Sequence, residues 1–121
     1  MNYTPDNWVV IKLDDGVDPH YRVLAGWSGG YTTGNTWRIN SGITKVETVV
    51  ITGGGITKVE EDDGYYNFSG SSGSTYSCGK KSYMLRMNNA HVWSKLEELH
   101  GDKVEMMPED TDWVSMDWII K

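Results

Sequence analysis

Between Gly26 and Leu85 the chain alternates short runs of β-branched and aromatic residues with clusters of Gly, Ser, Asn and Asp. That pattern belongs to strands folded back and forth by tight turns. Inside it the six residues Gly-Ile-Thr-Lys-Val-Glu occur twice, at 42–47 and 55–60. One repeated unit is too little for a solenoid. It reads instead as a local tandem duplication that adds one hairpin at a sheet edge. These features speak to architecture and hardly at all to activity.

The chain has 121 residues, which suits one domain with a modest core. Six Trp and seven Tyr carry much of its apolar area, and fourteen Gly against three Pro fit a turn-rich β protein. A net charge of −6 argues against sequence-independent nucleic-acid binding, which needs a basic face. It leaves open an acidic surface offered to a basic partner, or a balance that simply keeps a small protein soluble. Cys78 is the single cysteine, so an intrachain disulfide and a multi-cysteine zinc site are both excluded. The N-terminus lacks the basic-then-apolar pattern of a signal peptide, and no apolar run is long enough to span a bilayer. The expectation is a protein of a reducing cytoplasm.

Residues 8–13 (WVVIKL) predict a first strand with Val9, Ile11 and Leu13 on one face and Trp8, Val10 and Lys12 on the other. A turn at Asp14-Asp15-Gly16 leads to a second strand, 20–27. Residues 28–35 (SGGYTTGN) are too glycine-rich for a strand and read as a loop. Residues 36–40 form a short strand, and 43–52 and 56–61 form the duplicated hairpin around Gly53-Gly54-Gly55. Asp63-Gly64 is the strongest turn signal and joins that hairpin to 65–69; strands at 74–78 and 81–85 follow. Asn88 or Asn89 then caps a helix over 90–100, whose apolar stripe is Val92, Trp93, Leu96 and Leu99. Gly101 stops it. A short strand at 103–107, an acidic turn at 108–111 and a final strand at 112–120 complete the chain. A helix is the rival reading of that tail, because Pro108-Glu109-Asp110 resembles a helix start.

Asp14, Asp15, Asp18 and His20 crowd four potential ligands together, yet lack the regular spacing and terminal Glu of a calcium loop. His91 and His100 are too far apart on the helix to share a metal, and there is no H-E-x-x-H pattern. No G-x-S-x-G elbow, P-loop or dinucleotide fingerprint is present. Lys80 and Lys81 stand close enough to Cys78 to lower its pKa, but sequence identifies no base to accompany it. No metal and no cofactor are therefore expected. What remains is an aromatic and basic set: Trp27, Tyr31, Trp37, Arg38, Tyr76, Lys80, Lys81 and Arg86. Aromatic faces flanked by Arg and Lys stack a base and hold a phosphate; equally, Trp27 and Trp37 suit a core.

Residues 8–12 (WVVIK), 26–31 (GWSGGY), 37–47 (WRINSGITKVE) and 66–78 (YNFSGSSGSTYSC) together resemble a group of short uncharacterised proteins of large tailed bacteriophages, including those of marine cyanobacteria. The resemblance covers roughly residues 8–83. The second Ile-Thr-Lys-Val-Glu copy is extra to the pattern. Gly79 stands where a His after the Cys is more familiar, which weakens a metal or thiolate role for Cys78. The resemblance implies a phage origin and a place in the cytoplasm of an infected cell.

The expected fold is a single α+β domain over 1–121: a twisted antiparallel meander at 7–86, a packed helix at 88–100 and C-terminal strands at 103–120. The expected function is a non-enzymatic binding protein that counters a host defence. It would sequester a nucleotide signal, in a pocket within one subunit or between the subunits of a homo-oligomer, or inhibit a host defence protein. The alternatives are a minor virion or assembly component acting through an exposed sheet edge, and a thiol-dependent enzyme using Cys78.

Overall fold

Trp, Val, Ile and Leu at successive positions bury both faces of the first long strand pair, and the rest of the molecule is layered on those two faces. The computed structural model describes residues 2–14, 19–28, 36–39, 55–70, 73–116 and 118. The strands are β1 (Asn2–Tyr3), β2 (Asn7–Leu13), β3 (His20–Trp27), β4 (Thr36–Ile39), β5 (Ile56–Asp62), β6 (Tyr65–Gly70), β7 (Thr75–Gly79) and β8 (Val104–Met106). One helix, α1 (Ala90–His100), precedes β8, with a 3₁₀ turn at Gly101–Lys103 between them. The architecture is α+β, as the residue pattern predicts.

The strands divide between two sheets, of order β1-β7-β6-β5 and β4-β3-β2-β8. All pairings are antiparallel except β1 with β7, which run parallel with Tyr3 opposite Tyr76. Alternation along β2 and β3 decides what each face meets. Trp8, Val10, Tyr21, Val23 and Ala25 point toward the other sheet, where Ile56, Val59, Phe68, Tyr76 and Cys78 complete one core. Val9, Ile11, Leu13 and Leu24 point the opposite way, to Ile39, Val104 and the Val92 and Leu96 stripe of α1. The β4-β3-β2-β8 sheet thus lies between the second sheet and the helix. Buried apolar surface is worth about 25 cal/mol per Å², so two such faces let a small chain hold two cores.

Four expectations are corrected. Residues 81–85 form no strand; Tyr83 makes a single parallel bridge to Trp8. Asn89 precedes α1 without capping it, because its side chain and that of Asn88 turn inward. Asn7 Nδ2 donates to both, to Asn88 Oδ1 and Asn89 Oδ1 at 3.0 Å each, and Asn88 Nδ2 returns a bond of 2.7 Å to Asn7 Oδ1. A buried amide gains more from a closed network than from one helix N–H. Leu99, expected on the buried stripe, is half exposed. Finally, the described part of 112–120 is no strand: residues 113–115 form a turn, and Trp113 and Trp118 are both buried while Val114 is exposed. Strand alternation puts positions 113 and 118 on opposite faces. The turn instead stacks the two indoles at 6.1 Å, with Trp118 Nε1 donating to the Trp113 carbonyl.

The expected strand at 43–52, its Gly53-Gly54 turn, the loop at 29–35 with Tyr31, and the turn at 15–18 lie outside the described residues. Among the described residues no helix is long and apolar enough to cross a membrane.

Candidate functional site

The two sheets meet along a seam where β1 and β7 of one sheet come against β3 and β4 of the other, and four side chains gather there. Tyr3 is stacked on Tyr76 with ring centroids 4.9 Å apart, and meets Trp27 edge-on at 6.3 Å. The Arg38 guanidinium lies 4.7 Å from the centre of the Tyr3 ring, a cation–π contact. Local structure explains each placement. Arg38 pairs with Ala25 across β3 and β4 and so shares the inter-sheet face, whereas Trp37, one residue earlier, falls on the helix face. Tyr76 is the β7 residue opposite Tyr3. Trp27 ends β3 and is clamped by its Nε1–H to the Thr4 carbonyl at 3.0 Å.

Two atoms of this cluster have no partner. Arg38 Nε and the Tyr76 hydroxyl are buried and make no hydrogen bond. Burial pushes the Tyr76 phenol up to about 12, outweighing the pull of the Arg38 charge beside it. The hydroxyl therefore keeps its proton throughout the physiological range. A buried polar atom without a partner costs about 1–3 kcal/mol, so such a pair is uncommon in a folded protein.

A cleft of about 620 Å³, which none of these four side chains lines, is bounded by Thr4, Pro5 and Asp6, by the Asp63-Gly64-Tyr65 turn, and by Gly79–Ser82. Hydrogen bonds brace its walls. Asp6 is tied to β3 through Gly26 and Ser28, at 2.9 and 2.7 Å. The far wall is held by Lys80 N–H on the Gly64 carbonyl (3.0 Å) and Trp8 Nε1–H on the Gly79 carbonyl (2.7 Å). Gly64 adopts a φ of 91°, as the Asp-Gly turn requires. The charge on these walls is mixed, with Asp6 and Asp63 against Lys80 and Lys81. Lys80 is already paired with Glu61 at 2.5 Å and lies 5.2 Å from the Tyr66 ring; the Glu61 bond raises its pKa. The cleft alone is therefore not a concentrated anion site.

The structure splits the residue set expected from sequence. Trp27, Arg38 and Tyr76 come together around Tyr3, whereas Lys80 and Lys81 line the separate cleft. Trp37 belongs to the helix-side core, and Arg86 is exposed beside Met84, with its Nε 3.3 Å from the thioether sulfur. Tyr3 was missing from the expected set, and no local signal marks it. A two-residue strand acquires meaning only through its pairing with β7. Cys78 departs furthest from expectation. It is fully buried, its thiol pKa is pushed up by desolvation, and its sulfur faces the Tyr76 carbonyl at 3.7 Å. The nearby lysines do not lower its pKa, because they sit in solvent while the thiol sits in the core. Burial of this kind disfavours the thiolate form. Among the described residues no three His, Cys, Asp or Glu side chains are placed to share a metal ion. His20 is buried instead, accepting a 2.9 Å bond from Arg22 Nε.

Comparison with protein-family models, with curated proteins and with solved structures finds no match to this chain.

Proposed function

We propose that the chain is a non-catalytic, phage-encoded binding protein that sequesters a small nucleotide and so counters a host defence signal. The observation that carries the reading is the Tyr3–Trp27–Arg38–Tyr76 cluster, in which an arginine is held over an aromatic ring where the two sheets meet. Bases stack on aromatic and guanidinium planes with little regard for sequence, and phosphates take arginine donors. Arg38 supplies a local positive charge on a chain of net charge −6, which favours one compact anionic ligand over a long polyanion. The burial of the Cys78 thiol favours this reading over a thiol-dependent enzyme.

Native mass spectrometry after incubation with a bacterial nucleotide extract tests the reading, since it reports bound small molecules and subunit number together. The expected result is a retained nucleotide that is lost from Trp27→Leu and Arg38→Ala. A ligand-free spectrum, together with the protein's presence in purified virions, would replace the proposal with the assembly role.

A further inference from the structure

Tyr76 is 1% exposed, yet its hydroxyl has no hydrogen-bond partner, and the Nε of neighbouring Arg38 is buried and unpartnered beside it. Guanidinium only donates, and a phenol that holds its proton in a buried setting donates as well. The Arg38 guanidinium acts on the Tyr76 oxygen both as a charge and as a donor, yet among the described residues neither Arg38 Nε–H nor the Tyr76 O–H has an acceptor of its own. What both atoms lack is an acceptor. The usual protein acceptor for a buried guanidinium N–H is a carboxylate, and half-buried Arg38 forms no ion pair among the described residues.

We propose that Arg38 Nε and Tyr76 Oη are the paired donors of a subsite for an oxyanion, the phosphate or carboxylate of a small ligand, with Tyr3 holding the guanidinium in position. The inference rests on the reading of this cluster as a ligand site and adds which atoms hold the charged end. Charge-assisted hydrogen bonds from arginine are the stronger kind, and a second, neutral donor fixes the direction from which the oxygen enters. The arrangement suits a monoanionic or dianionic head on a flat molecule. The head would meet Arg38 and Tyr76 while the body lies toward Trp27. Lysine at position 38 keeps the charge but loses the Nε donor.

The test is a thermal-shift and calorimetric titration of the full chain with sodium phosphate, sodium acetate, AMP and adenosine, each against sodium chloride at matched ionic strength. Phosphate is expected to raise the Tm of the wild-type chain with concentration. Tyr76→Phe and Arg38→Gln, made separately, are each expected to weaken phosphate by about tenfold or more, with Arg38→Lys falling between. Acetate matching phosphate supports the subsite as one for carboxylates; phosphate binding more tightly supports it as one for phosphates. No shift with either anion overturns the proposal. So does a Tyr76→Phe chain that is less stable in anion-free buffer yet binds phosphate unchanged, because the hydroxyl would then serve a structural water. Adenosine binding without any anion effect overturns the subsite and leaves nucleotide capture standing. Phosphate binding that depends on both residues, with no nucleotide retained from an extract, supports the subsite and overturns the capture reading. Should Arg38→Gln fail to fold, Tyr76→Phe decides alone, since it removes one oxygen and leaves the ring packing in place.

Discussion

Asn88 shows how one residue ties three parts of the molecule together. Its amide bonds Asn7 on β2 and reaches Ser28, while Gly26 of β3 packs directly on it. A methyl group at position 26 would lie 2.1 Å from Asn88 Oδ1, so the amide must move and the buried network must open. Gly26→Ala is expected to cost about 3 kcal/mol, from overpacking together with stranded polar groups. Urea denaturation measures it. Adding Asn88→Ala should make the pair less than additive, since the atoms that clash are then gone. A single-mutant cost below about 0.5 kcal/mol would show that the network yields without loss.

At the scale of elements, the repeated hexapeptide meets a geometric coincidence. Across β3 and β4 Ile39 pairs with Leu24, so each step forward along β4 moves one step back along β3. Three steps on from residue 39 is residue 42, and three back from residue 24 is residue 21. The second copy's Gly55 sits against the Tyr21 carbonyl, where an added Cβ would approach to 2.5 Å. A chain lacking residues 48–60 would therefore bring Gly42 to the place that Gly55 holds now. Ile43 and Val46 would replace the buried Ile56 and Val59 residue for residue. We expect this shortened chain to fold, with a cooperative thermal transition and a far-ultraviolet circular dichroism spectrum of the same shape. A chain that is unfolded or aggregates on purification would reject the duplication hypothesis.

For the molecule as a whole, the inter-sheet core sets how stability responds to alkali. Tyr76 and Tyr83 are both pushed from 10.0 to about 12, by desolvation first, and the Cys78 thiol is pushed above its model-compound value of 9.0. Tyr83 also donates to the Met107 carbonyl and accepts from Val10 N–H, so its proton is part of the packing. Between pH 9 and 12 the unfolded chain releases these protons while the folded chain keeps them. The unfolded state then binds fewer protons, and stability falls as pH rises. Stability should be level with respect to these groups below about pH 8. It should fall through pH 10–12 by about 2 kcal/mol for each tyrosine, with the thiol adding to the early part. Urea midpoints between pH 7 and 11 read the slope, and Tyr83→Phe should flatten it. A midpoint constant up to pH 11 would contradict the burial of these groups.

The sequence by itself determined the local, periodic features. Period-2 alternation assigned the faces of β2 and β3, Asp63-Gly64 placed a hairpin turn, and Gly101 ended the helix. These signals are readable because they depend on neighbours a few residues away. The division into two sheets, the inward turn of Asn88 and Asn89, and the stacking of Trp113 on Trp118 depend on partners far along the chain. The candidate site divides in the same way. Trp27, Arg38 and Tyr76 were legible as aromatic and basic residues, but so were Trp37 and Arg86, and only strand pairing separates them. Tyr3 became part of the site because a two-residue strand docks beside β7. The Arg38 and Tyr76 donors lost their partners only when two sheets closed over them, since the absence of an acceptor is a property of the packed interior.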